Sequence, residues 1–92
     1  MDRRRGLLDQ LAEAADLPGE TVSSLPLVEL SGDRRVLVEN HRGVSEYSRE
    51  RISVNVCYGR VVVCGSGLEL TRMSKELLII TGRIGGITLC RR

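Results

Sequence analysis

The spacing of the apolar residues changes once along this chain, near residue 26. Before that point they recur at three- and four-residue intervals, which is the period of an amphipathic helix. Those positions are Leu7, Leu8, Leu11, Ala14 or Ala15, and Leu17. Asp2 is placed to cap the start of such a helix, and Pro18-Gly19 ends it. We therefore predict an N-terminal amphipathic helix over residues 3–17, with a linker that completes a segment of residues 1–25.

From Leu27 onward, apolar residues alternate with polar or small ones, which is the two-residue period of β-strands. Glycine-rich pieces separate these runs, and we interpret Gly65-Ser66-Gly67 and Gly85-Gly86 as turns between strands. Short strands at such spacing are typical of small antiparallel β-domains. For residues 26–92 we predict an antiparallel β-sandwich of Ig-like size. A short β-solenoid is the alternative. It normally needs a fixed sequence repeat, whereas the three similar triplets of this chain recur at unequal intervals: Leu30-Ser31-Gly32, Val63-Cys64-Gly65 and Ile80-Thr81-Gly82.

The composition indicates one small domain with an aliphatic core. The 92 residues contain no Phe and no Trp, and Tyr47 and Tyr58 are the two aromatic side chains. Such a small domain leaves little margin of stability, so a partner or a homo-oligomer would help it. The formal net charge of +2 is too balanced to indicate nucleic acid, and the stacking aromatics of nucleic-acid modules are missing.

Cofactor and compartment signals are sparse. The three cysteines form no Cys-x-x-Cys pair and lie far from the single histidine, so we expect no metal site and no cofactor. Free cysteines favour a reducing cytoplasm. No secretory signal is visible, and no apolar run approaches the roughly twenty residues of a membrane span.

The strand Val36–Val38 runs into the densest polar cluster of the chain, Glu39–Gly43, which holds that histidine. Catalysis there would need an activated nucleophile and an oxyanion hole, and the chain has no Gly-x-Ser-x-Gly motif. We therefore expect no catalytic residue and no enzyme activity. In one interpretation the cluster is a turn, in which Arg42 pairs with Glu39 or Glu46. In the other it is an exposed recognition loop, built from Asn40, His41, Arg42, Gly43 and Tyr47.

Two surface features leave further alternatives open. Arginines cluster at positions 3–5, 34–35, 49, 51 and 91–92, and we interpret these clusters as a solvated charged surface, with anionic lipid or nucleic acid as the alternatives. The last run, Ile84–Leu89, is either a protected edge strand or an edge that adds to a neighbouring sheet.

Several stretches also carry a family resemblance: Glu39-Asn40-His41-Arg42-Gly43, Glu46-Tyr47-Ser48, Ile52, Gly59-Arg60-Val61-Val62-Val63-Cys64-Gly65 and Leu68. They resemble the YabP/YqfC family of sporulation proteins, and within it the YqfC branch. The resemblance runs from about Leu17 to Leu89, which is most of the chain.

The resemblance implies a role in endospore formation, in the mother cell, in forespore development or coat assembly. It also implies a YqfD-like membrane protein as partner. The chain would then be cytoplasmic, with peripheral contact at the membrane that faces the forespore.

Overall fold

The structure, a computed structural model, describes residues 25–92. The helix predicted over residues 3–17 lies outside the described residues. The described part contains six strands, β1 (Leu27–Ser31), β2 (Arg35–Glu39), β3 (Val44–Tyr47), β4 (Arg51–Val56), β5 (Gly59–Met73) and β6 (Leu77–Arg91). No helix occurs among these residues.

The six strands form one antiparallel sheet with the order β1-β2-β6-β5-β4-β3. The two 15-residue strands β5 and β6 make a long central hairpin. Strand β4 pairs with β5 only along Gly59–Cys64, and β2 pairs with β6 only along Leu77–Thr81. Strands β2 and β4 therefore pair with opposite ends of the hairpin. They also lie on opposite sides of it.

Both long strands contain the glycine-rich pieces that the sequence predicts as turns. The register of β5 against β6 shifts around Gly65 and Ser66, but the pairing continues on both sides. Gly82 has φ 140°, and a methyl group there would run into the backbone of Gly67 and Leu68. The prediction of chain reversals at residues 65–67 and 85–86 is wrong, because the glycines form bulges that bend continuous strands.

The β5–β6 hairpin has a closed end, where residues 74–76 connect the two strands, and an open end, where Gly59 pairs with Arg91. The bend brings these two ends together. Arg60, near the open end, lies beside Asn55 of β4, whereas Ser74 follows β5 at the closed end. A straight strand from Arg60 to Ser74 would be about 46 Å long. Yet the adjacent residues His41 and Arg42 contact Ser74 and Asn55 respectively. The sheet must therefore fold back over itself.

The core is built from aliphatic side chains of both halves of this folded sheet. Val36 and Val38 of β2 lie opposite Ile80 and Leu78 of β6, and a second paired patch joins β4 to β5. Paired residues share one face of the sheet. The buried cluster comprises Val36, Val38, Ile52, Val54, Val56, Val61, Val63, Leu68, Leu78, Ile80 and Ile84.

The antiparallel β-fold predicted from the two-residue period is confirmed for the described residues. The six strands belong to one continuous sheet. The predicted sandwich of two separate sheets is therefore not confirmed. Each pairing is antiparallel, which does not match the parallel coils of a β-solenoid. Strand β3 was not predicted, because Val44–Tyr47 holds a single aliphatic residue and shows no alternation.

Candidate functional site

The residues Asn40–Gly43, here called the crossover segment, join β2 to β3. Asn40 has φ 61°, the left-handed conformation that asparagine tolerates at turns. Its backbone N–H donates to the carbonyl oxygen of Glu76 at 2.7 Å, and its Nδ2 donates to that of Leu25 at 2.9 Å. The segment therefore starts attached to the closed end of the long hairpin.

His41 holds the middle of the crossover segment and is buried, with 9% of its surface exposed. Its Nδ1 accepts a hydrogen bond from the Gly43 N–H at 3.0 Å, and its Nε2 lies 2.8 Å from the Ser74 carbonyl oxygen. A carbonyl only accepts, so the network assigns the proton to Nε2. Both ring nitrogens are thus engaged by backbone groups, and the prediction of an exposed histidine is wrong.

The end of the crossover segment is fixed to β4. The Arg42 N–H donates to the Asn55 carbonyl oxygen at 2.6 Å, and the Asn55 N–H donates to the Gly43 carbonyl oxygen at 2.8 Å. Gly43 has φ 100°, a conformation that side chains disfavour. The segment thus connects the two ends of the folded sheet through backbone hydrogen bonds.

The Arg42 side chain is exposed and forms no ion pair with any other residue in the range 25–92. The predicted pairing with Glu39 or Glu46 is therefore not formed. Glu46 pairs instead with Arg51, at 3.1 Å from its Nε. Glu46 lies opposite Ser53 in the β3–β4 hairpin, so Arg51, two residues before Ser53, reaches it diagonally across the two strands.

Tyr47 does not join the other four predicted residues. It lies at the far end of β3, 56% exposed, and its hydroxyl accepts a hydrogen bond from the Leu70 N–H at 3.2 Å. The structure brings together Asn40, His41, Arg42 and Gly43, and leaves Tyr47 beside the bent part of β5.

Arg42 borders an open cleft of about 510 Å³ that the sequence did not reveal. Arg60, Arg91 and Arg92 line the same cleft, together with Asn55. Arg42, Arg60 and the Arg91-Arg92 pair are far apart along the chain, and the register of β4, β5 and β6 with the bond from Arg42 to Asn55 makes them neighbours. No spacing rule would have identified them.

Other chemistry is limited in the part of the chain that the structure describes. No three His, Cys, Asp or Glu side chains come together there as metal ligands would. The three cysteines are free and half-buried. Within residues 25–92 we find no helix with the length and apolar character needed to cross a membrane.

Comparison with known proteins shows which family the sequence of the described residues matches. Residues 25–92 match the sequence profile of the YabP family. The chain belongs to the YabP/YqfC family. The matched region contains all six strands of the folded sheet, the crossover segment and the arginine-lined cleft.

A curated relative supports the assignment. The chain is 22% identical over 82 residues to the uncharacterized protein YqfC of Bacillus subtilis strain 168, covering 89% of this chain and 88% of the relative. No solved structure gives a significant match.

Proposed function

We propose that this YabP/YqfC-family chain is a non-enzymatic sporulation protein that acts as an adaptor or structural partner of a membrane protein. It would act in the mother cell, in forespore development or coat assembly. The observation that carries the non-enzymatic role is the engagement of both His41 ring nitrogens by backbone groups. A histidine held in this way has no free nitrogen with which to exchange a proton with a substrate.

The same contacts support a recognition role for the crossover segment. Backbone bonds to Glu76 and Asn55 fix the segment at both ends, while the Arg42 side chain extends into solvent. A rigid backbone that presents an arginine loses little entropy on binding, and arginine is favoured in interface hot spots. Tyr47 would contribute only to a partner that also covers the bent part of β5.

The proposed partner is a YqfD-like membrane protein, as the family resemblance implies. The chain would lie in the mother-cell cytoplasm, docked at the membrane that faces the forespore. The absence of a spanning helix among residues 25–92 is compatible with this peripheral position.

Pull-down from sporulating cells tests the proposal, with the tagged full chain as bait and a mild detergent to solubilise membranes. We expect the wild-type chain to recover a YqfD-like protein and Arg42→Ala to recover much less. The matched control is Arg34→Ala, which removes another exposed arginine from the β1–β2 turn. Equal recovery by all three baits would exclude the crossover segment as the contact surface.

A second candidate function, a self-assembling structural protein, is favoured by one open edge. Within residues 25–92, the part of β6 from Gly85 to Arg91 pairs with β5 on one side, while β2 pairs only with Leu77–Thr81 and the Ile84 N–H donates to the Asp33 carbonyl oxygen. Leu89 on this stretch is 57% exposed. An unpaired edge with exposed apolar residues can add a strand from another copy.

Light scattering of the purified chain separates the two candidates. Self-assembly predicts a concentration-dependent mass that Leu89→Lys reduces to the monomer, because a charge on an edge opposes strand addition. A monomer at all concentrations would leave the adaptor function as the better proposal.

A further inference from the structure

The arginine-lined cleft lies where three strands end together. Asn55 of β4, Arg60 of β5 and Cys90 of β6 are adjacent in the register and form one row across the sheet. Arg42 approaches the row from the crossover segment, and Arg91 and Arg92 continue from β6. Paired residues lie about 4.8 Å apart across neighbouring strands, so the side chains of Asn55, Arg60 and Cys90 share one face of the sheet.

The positive charge of the cleft is not neutralised by the described protein. None of the four arginines forms an ion pair within residues 25–92, and no acidic residue lines the cleft. The two ion pairs of this region, Arg34 with Asp33 and Arg51 with Glu46, lie elsewhere. Four arginines that border one cleft concentrate positive charge there, and a bound anion would offset their mutual repulsion.

The cleft is also held in shape. The Arg42 N–H is bonded to Asn55, and the Arg92 N–H donates to the Tyr58 carbonyl oxygen at 3.1 Å. The Arg91 guanidinium lies over the Tyr58 ring, 5.4 Å from its centroid. Asn55 lines the same cleft, and its backbone is bonded to the crossover segment on both sides, through the Arg42 N–H and the Gly43 carbonyl oxygen.

We propose that this cleft binds a compact anion that carries phosphate groups. Guanidinium groups match the oxygens of phosphate in geometry and form strong charge-assisted hydrogen bonds with them. The volume of about 510 Å³ is in the range of small-molecule sites. RNA is a poorer fit, because Arg91 already covers a face of the Tyr58 ring on which a base would stack.

Phosphate of this kind has two sources, a soluble phosphorylated compound or the headgroup of an anionic lipid. The proposal goes beyond the adaptor function, with which it shares Arg42, and purified protein tests it without the membrane partner. The soluble probe is inorganic pyrophosphate, and the lipid probe is vesicles of phosphatidylglycerol in phosphatidylcholine. The full chain is titrated with each at moderate salt, with amide chemical shifts and co-sedimentation as readouts.

The variants are Arg60→Gln and Arg42→Gln, with Arg34→Gln as the matched control of equal charge change. All three positions are exposed, and circular dichroism verifies that each variant folds. We expect the Asn55 and Cys90 amides to shift on binding, and each cleft variant to bind about tenfold more weakly. Arg34→Gln should bind like the wild type.

Pyrophosphate binding that depends on Arg60 supports a soluble ligand. Vesicle binding with the same dependence, and no pyrophosphate binding, supports a lipid headgroup. The proposal is overturned by no binding in either arm, or by equal weakening in Arg34→Gln and Arg60→Gln. It is also overturned if RNA oligonucleotides alone bind.

Discussion

The crossover segment and the glycine-rich stretches of β5 and β6 look alike in the sequence but act differently in the structure. Both are short, polar and glycine-containing, and both interrupt an apolar alternation. The crossover segment is a true connection, which leaves β2 and enters β3. Gly65–Gly67 and Gly82–Gly86 lie inside continuous strands and bend them. Glycine thus marks a special backbone position, and long-range pairing decides whether the chain turns or bends there.

The largest loss of stability is expected at Gly82, where the glycine-rich stretch of β6 bends the strand. Gly82→Ala should destabilise the domain by about 3 kcal/mol, because φ 140° disfavours a side chain and the new methyl would meet Gly67 and Leu68. Urea denaturation measures the free energy of unfolding.

Gly86→Ala is the matched control for the bend, since a methyl there meets no atom within 4 Å. Its effect should stay within about 0.5 kcal/mol. Equal losses of stability at Gly82 and Gly86 would show that the close approach of Gly82 to the backbone of Gly67 and Leu68 does not require glycine at the bend.

The crossover segment is tested by His41→Ala. Removing the imidazole leaves the Ser74 carbonyl and the Gly43 N–H without their partners, which should cost about 2 kcal/mol. The free energy of unfolding is again the measurement.

Arg42→Ala serves as the neighbouring control for His41→Ala, because it removes an exposed side chain and keeps the backbone bond to Asn55. Its stability should stay within about 0.5 kcal/mol of the wild type. A large loss in Arg42→Ala would mean that the arginine, too, has a structural role.

A smaller effect is expected at the first residue of the crossover segment. Asn40→Ala places an alanine at φ 61° and should cost about 1 kcal/mol, whereas Asn40→Gly relieves the backbone strain. Thermal melts of the two variants give the difference. If alanine were as stable as glycine, the left-handed conformation would not matter here.

The smallest effect is expected at Tyr47, which contacts the bend rather than the crossover segment. Tyr47→Phe removes the hydroxyl that accepts from the Leu70 N–H and should cost about 0.5 kcal/mol, since water can replace an exposed partner. Faster hydrogen exchange of the Leu70 amide would verify the contact. Unchanged exchange at Leu70 would contradict it.

The sequence was sufficient for the parts of the fold that depend on local alternation. Runs such as Ile52–Val56 and Leu78–Ile80 identified strands, because a two-residue period places their aliphatic side chains on one buried face. It could not show that the runs at Val61 and Leu68 are one strand, because a bulge and a turn have the same glycine signature.

The candidate site was predicted only where it is contiguous in sequence. Asn40–Gly43 was identified as a turn, but the burial of His41 depends on Ser74, 33 residues away. The cleft was missed because Arg42, Arg60 and Arg92 become neighbours only through strand register. Contacts of this kind depend on pairing that no local pattern encodes.

The hydrogen bond between His41 and Ser74 has a consequence for the order of folding. The β5–β6 hairpin can form from residues close in sequence, whereas the crossover segment can attach only after that hairpin has bent. A contact that forms only at this late stage contributes little to the transition state of folding. We therefore expect substitutions at His41 to accelerate unfolding with little change in the folding rate, which stopped-flow kinetics would measure.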